Sequence, residues 1–284
     1  MTDDTDRAMP PPANDPRIDC HVHVLDPARF PYSPDAPFHP SGGEIATAES
    51  LGQVLDAHGV RHALIVGPNS GYQFDNRCLL DAVARGAGRY RGIAVLQPDT
   101  SRDELQALQA AGIVGVAFQV AMFGVEAYRG IGPMLERMRD VGMWADVQVQ
   151  DDQLVSIRPL LEGSGVRIVF DHCGRPDPAA GIGQAGFAEL LSMAETGRAF
   201  VKLSSFAKAS AMPFPHADAW PYVRALIESY TPQALVWGSD WPFLRARTRV
   251  DYGPQLAALT RWVPDPAQRA QILWDNPSRI FGFK

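Results

Sequence analysis

Three short segments of this chain carry side chains that could do chemistry together. His21 and His23 flank Val22, His172 lies between Asp171 and Cys173, and Asp240 sits within Gly238-Ser239-Asp240-Trp241-Pro242. Imidazoles two residues apart on an extended segment point to the same face of the pleat. Such a pair either ligates a divalent metal through neutral rings or donates hydrogen bonds to a substrate carbonyl. A third imidazole and a carboxylate at the same level would add a donor for a developing oxyanion and an acceptor for a proton from water. Packing explains the set poorly, because buried imidazoles and carboxylates without partners cost several kcal/mol.

These segments need a scaffold that brings distant parts of the chain to one place. Short apolar runs rich in β-formers alternate with longer segments of helical period, which predicts βα units around a parallel sheet. Strands are expected at residues 18–24, 62–67, 91–96, 114–119, 144–149, 167–172, 199–204 and 235–240. Eight such units close a (β/α)8 barrel, an α/β fold of one domain. Helical spacing marks 104–111, 134–141, 154–161, 187–194 and 222–230, and Gly59, Gly112, Gly142, Gly165 and Gly197 punctuate helix ends just before strands. An open doubly wound sheet is the competing fold, but no G-x-G-x-x-G phosphate loop follows the first strand. Barrel active sites lie at the C-terminal strand ends, where His21, His23, His172 and Asp240 all fall.

Composition sets the outer limits. With 284 residues, 46% hydrophobic and 20% charged, the chain is long and apolar enough to bury a core. Its 26 basic and 32 acidic residues leave a net charge of −6, which argues against nucleic acid as a partner. The apolar runs at 63–66 and 234–237 fall far short of the roughly 20 residues that span a bilayer, so no membrane partner is expected. Residues 1–16, acidic and proline-rich without an apolar core, read as a disordered tail, leaving 17–284 for the barrel. Three cysteines, Cys20, Cys78 and Cys173, make a disulfide framework improbable and point to a cytoplasmic protein. Self-association stays open.

The strand-end pattern resembles the amidohydrolase superfamily (amidohydrolase-related family 2), with H-x-H after strand one, a histidine after strand six and an aspartate after strand eight. The resemblance runs to Asn276-Pro277-Ser278-Arg279, similar to that family's closing helix. Phe30-Pro31-Tyr32-Ser33-Pro34 and Asp171-His172-Cys173-Gly174-Arg175-Pro176 are similar to the group holding 2-pyrone-4,6-dicarboxylate lactonases, sugar lactonases and a galactarolactone isomerase. That likeness implies a hydrolase acting on a small-molecule lactone, with Asp240 activating water and His21, His23 and His172 polarising the carbonyl. It implies no required cofactor. The alternative is one Zn²⁺ on the same four residues, as in mononuclear amidohydrolases or decarboxylases; Gln119, Gln148 and Gln150 stand where binuclear relatives would need other ligands.

Departures from the pyrone branch narrow the substrate. Its arginine clamp after strand four is replaced by Ala117 and Phe123, and Phe243 follows Pro242 where that branch has histidine. Losing two guanidinium forks argues against the same dicarboxylate. Arg175, Lys208, Arg245 and Arg247 remain as cations, and Asn69, Ser70 and Tyr72 after strand two are candidate neutral contacts. Lys202 reads as an internal hydrogen-bonding residue and Cys173 as inert. His39 could line the mouth, whereas His58, His62 and His216 are discounted. A lactone isomerase using the same site is the main rival, and a non-catalytic binding barrel a more distant one.

Overall fold

The structure is a computed structural model describing residues 15–284 except Arg247. Most of the expected tail and one candidate cation therefore lie outside the described residues.

Eight parallel strands pair in chain order: β1 Ile18–Val22, β2 His62–Val66, β3 Tyr90–Ala94, β4 Ile113–Gln119, β5 Trp144–Gln148, β6 Arg167–Phe170, β7 Ala199–Leu203 and β8 Leu235–Trp237. Helices intervene as the apolar spacing predicts, including Arg102–Ala110, Gly132–Val141, Gln153–Ser164, Ala185–Ser192 and Trp220–Tyr230. The chain is a (β/α)8 barrel. Gly142 and Gly165 end their helices at φ 77° and 71°, the left-handed conformation that glycine adopts without a Cβ penalty. Among the described residues no helix is long and apolar enough to cross a membrane.

Two apolar layers follow from the period of the strands. Alternate residues such as Leu64, Val66, Ile93, Val169, Phe200 and Val236 fill the barrel interior, capped by Ile280, Phe281 and Phe283 from the C-terminal segment. Their neighbours, such as Ile65, Ala94, Val147 and Val201, pack against the surrounding helices. β1 breaks this alternation. Its register against β2 shifts between Asp19 and Val22, three steps on β1 spanning two on β2. Cys20 consequently joins the interior cluster while Val22 and Val24 face the helices, which leaves His21 and His23 to enter the barrel above Cys20.

All the expected strands but the fourth overran at their C-terminal ends. β6 stops at Phe170 and β8 at Trp237, and the chain then turns through left-handed conformations at His172, Cys173, Arg175, Ser205, Asp240, Phe243 and Arg245, with φ from 47° to 68°. Each such non-glycine residue costs about 1–2 kcal/mol. These turns lie at the rim that carries the candidate site.

β1 and β8 meet at the seam of the barrel through one parallel bridge, Val22 to Trp241. The His23 amide donates to the Trp241 carbonyl at 2.9 Å, and the Asp240 amide to the His21 carbonyl at 2.8 Å. Gly238 permits this approach, since a Cβ there would lie 2.6 Å from the His21 Cβ.

Candidate active site

The seam and the end of β6 bring the four expected residues together. His23 Nε2 lies 3.5 Å and His21 Nε2 3.8 Å from Asp240 Oδ1. The His21 ring centroid is 5.0 Å from that of His23 and 4.5 Å from that of His172. All four side chains are buried.

Each ring is oriented from behind. His23 Nδ1 lies 2.8 Å from the Val66 carbonyl, which can only accept, so Nδ1 carries a proton, and Nε2 is the nitrogen turned toward Asp240. His172 Nδ1 lies 2.9 Å from Ser204 Oγ. His21 Nδ1 has two neighbours, Asp171 Oδ1 at 3.1 Å and Lys202 Nζ at 3.2 Å. Asp240 Oδ2 accepts from Ser205 Oγ and pairs with Lys208 Nζ, both at 2.5 Å, while Oδ1 has no protein hydrogen-bond donor.

Electrostatics assign charge states. Burial pushes His21 down to about 4 and His172 well below the usual histidine range, so both rings are neutral near pH 7. Burial alone would raise Asp240; the Lys208 ammonium, followed by His172, His23 and His21, holds it well below the usual carboxylate range. The site therefore presents an ionised carboxylate beside two neutral imidazoles, His21 and His172.

The cavity above these residues is about 430 Å³, of ordinary size for a small-molecule site. Of the candidate binding residues, Asn69, Ser70, Arg175, Lys208 and Arg245 line it. Tyr72 does not: it is 3% exposed and its hydroxyl accepts from the Asp26 amide at 2.9 Å. His39 also stays outside, stacked on Tyr32. The wall after β4 is Gln119, Ala121 and Met122, whereas Ala117 packs in the barrel interior and Phe123 is 45% exposed. Gln148 and Gln150 complete that side, and Arg175 Nη1 donates to Gln148 Oε1 at 3.2 Å. Cys173 is buried, and desolvation pushes its thiol up to about 12, which removes the thiolate a nucleophile needs.

Lys202 is internal as its place in the sequence suggests, but sequence reasoning missed the buried group it forms below the cavity. Lys202 Nζ lies 2.7 Å from Asp146 Oδ2 and 2.9 Å from Asp171 Oδ1, all three side chains being at most 1% exposed. Asp146 carried a signal: a carboxylate in the apolar strand Trp144-Ala145-Asp146-Val147 must have a partner.

By distance, His21, His23 and Asp240, or His21, Asp171 and His172, could gather round a divalent ion, their ligand atoms lying within 4.8 Å of one another. Their charged surroundings argue against one. A zinc-ligating imidazole normally gives its other N–H to an acceptor. His21 has an ammonium as well as the Asp171 carboxylate against its other nitrogen, so its N–H is contested there, and the second oxygen of Asp240 is already paired with Lys208.

Comparison with known proteins agrees with this geometry. The chain is 32% identical over 276 residues to a 4-sulfomuconolactone hydrolase of Rhizobium radiobacter, covering 93% of this chain and 89% of that protein. It is 27% identical to a D-galactarolactone isomerase of Agrobacterium fabrum, covering 93% and 90%. A solved structure from Acinetobacter baumannii, described as a probable 2-pyrone-4,6-dicarboxylic acid hydrolase with citric acid bound, superposes with a TM-score of 0.86 at 29% identity, covering 94% of this chain and 99% of that one. The family model described as Amidohydrolase matches residues 18–283, and the chain belongs to that family.

Proposed function

We propose that this protein hydrolyses a lactone of a small anionic organic acid, without a metal. The observation that carries the reading is the ionised Asp240, beside buried His21, lining with His23 and His172 a cavity that has three cations, Arg175, Lys208 and Arg245, in its wall. A lactone is an ester, and opening it needs a proton acceptor for water and donors for the carbonyl oxygen.

The tautomers divide the work. The Nδ1–H of His23 donates to the Val66 carbonyl, which leaves Nε2 beside Asp240 Oδ1 to meet the attacking water. His21 and His172 are left to donate to the carbonyl oxygen as it becomes an oxyanion. Asp240 takes the water proton and returns it to the leaving alkoxide as the ring opens. The cations and the three glutamines, Gln119, Gln148 and Gln150, would hold the acid group and ring oxygens. The names of the relatives support a lactone, and one of them is an isomerase, in which a substrate hydroxyl rather than water would attack.

A panel of muconolactones, sugar-acid lactones and pyrones assayed by proton release tests this reading. Acid release from an anionic lactone, reduced about 10²–10³-fold by His172→Ala and more by Asp240→Asn, is the expected result. Conversion seen by NMR without acid release would establish the isomerase instead, and near-full activity of either variant would refute the roles given. One zinc per chain by elemental analysis, with activity lost to a chelator and restored by zinc, would overturn the metal-free reading.

A further inference from the structure

We infer that Lys202 is a positioning residue that keeps the proton of His21 on Nε2, making the nitrogen of that ring nearer Asp240 a hydrogen-bond donor and closing it to metal.

The argument is a count of protons in a sealed site. Lys202 is 0% exposed, and its ammonium has three N–H groups to place. Three acceptors surround it: Asp146 Oδ2 at 2.7 Å, Asp171 Oδ1 at 2.9 Å and His21 Nδ1 at 3.2 Å. His21 Nδ1 is also 3.1 Å from Asp171 Oδ1, so two patterns compete. With the proton on Nδ1, that N–H turns to Asp171 and the third ammonium N–H faces another donor. A buried ammonium hydrogen without an acceptor is the costlier fault. With Nδ1 bare, every hydrogen of Lys202 is used and Asp171 Oδ1 still receives one.

Charge balance agrees. Burial, then the neighbouring Asp171, pushes Asp146 well above the usual carboxylate range. Asp171 would also rise on burial, but the charged groups around it, the Lys202 ammonium at 2.9 Å among them, hold it well below. One ammonium, one carboxylate and one carboxylic acid leave the cluster near neutral. The retained proton belongs between Asp146 Oδ1 and Asp171 Oδ2, which have no other partners. Since burial also keeps His21 neutral, the ring must choose one tautomer, and Lys202 makes the choice.

Only the kinetic part of the test rests on the lactone reading. In ¹⁵N-labelled protein, with His21 assigned by the loss of its signals in His21→Asn, long-range ¹H–¹⁵N correlation should show Nδ1 unprotonated and Nε2 protonated near pH 7. The reverse assignment overturns the inference and needs no other variant. In Lys202→Met/Asp146→Leu, which removes the ammonium together with one carboxyl, the proton should move to Nδ1 and point at Asp171. That variant, dialysed against zinc chloride, should take up one zinc per chain where the unaltered protein takes none. Its kcat should fall about 10²–10³-fold with KM changed less than about threefold, as for loss of an oxyanion donor. Should the variant not fold, Lys202→Met alone provides the same readouts, and the spectrum of the unaltered protein still decides. An unmoved tautomer in a folded variant refutes the positioning role, whereas absence of lactone turnover in the unaltered protein refutes only the proposed function.

Discussion

Asp19 offers a quantitative test of how the seam is held. Its carboxyl is fully buried, with Oδ1 accepting from the His21 and Ser239 amides at 3.0 Å each and Oδ2 accepting from the Tyr252 hydroxyl at 2.7 Å. Burial outweighs these bonds and raises the group from 3.8 to about 6. At 1.36 kcal/mol per pH unit, that difference corresponds to about 3 kcal/mol. A folded-state pKa above the unfolded one stabilises the fold fully below pH 3.8, and the contribution is lost as pH rises through 6. Asp19→Asn is isosteric, its amide oxygen can accept both backbone N–H groups, and the Tyr252 hydroxyl can rotate to accept from its NH₂. The variant should therefore gain about 2 kcal/mol relative to the unaltered protein between pH 4 and pH 7, a change in the Tm difference of roughly 4 °C. Differential scanning calorimetry of both proteins across that range isolates Asp19, because other titrating groups are common to both. A Tm difference constant to within about 1 °C would refute the reasoning, since a shift of two pKa units cannot leave so small a trace.

Other expectations are narrower. Gly238→Ala places a Cβ 2.6 Å from that of His21, and should cost about 1–3 kcal/mol by denaturant titration while lowering kcat through displacement of His21; unchanged kcat would argue against a seam this tight. Lys208→Met frees Asp240 from its nearest cation, so the acid limb of kcat/KM should move to higher pH. Arg245→Met, in the same cavity wall but outside the Asp240 ion pair, should leave that limb in place. Cys173→Ala should keep kcat within about threefold, because a buried thiol is not a thiolate; loss of activity with the fold intact would reopen the nucleophile reading.

The barrel was legible because its signals are periodic and redundant. Eight apolar runs, each followed by helical spacing and often a glycine, point to the same architecture, and no single misjudged end alters it. The strand ends were less legible, since left-handed turns at His172 and Asp240 carry no glycine to announce them. His21, His23, His172 and Asp240 stood out as polar residues where a barrel places its chemistry. Arg175, Lys208 and Arg245 could be named as cations near the mouth, but only the turns show that they line one cavity while Tyr72 is spent on the Asp26 amide. The Lys202 group was least legible. Its members come from β5, the end of β6, β7 and β1, and their pairing depends on strand register and on the irregularity in β1, which no local pattern encodes.

The seam also bears on how the protein comes into being. His21 and His23 belong to the first strand of the barrel, whereas Asp240 and the Trp241 carbonyl follow its last. A ribosome must therefore deliver seven βα units before the first half of the site has a second half to meet. Any nascent or truncated chain ending before β8 has a bare sheet edge at β1 and no proton acceptor, so turnover in a cell extract would count only completed barrels. For the same reason, fragments divided in a surface loop between β4 and β5 would be silent alone, and restored activity on mixing would measure closure of the seam.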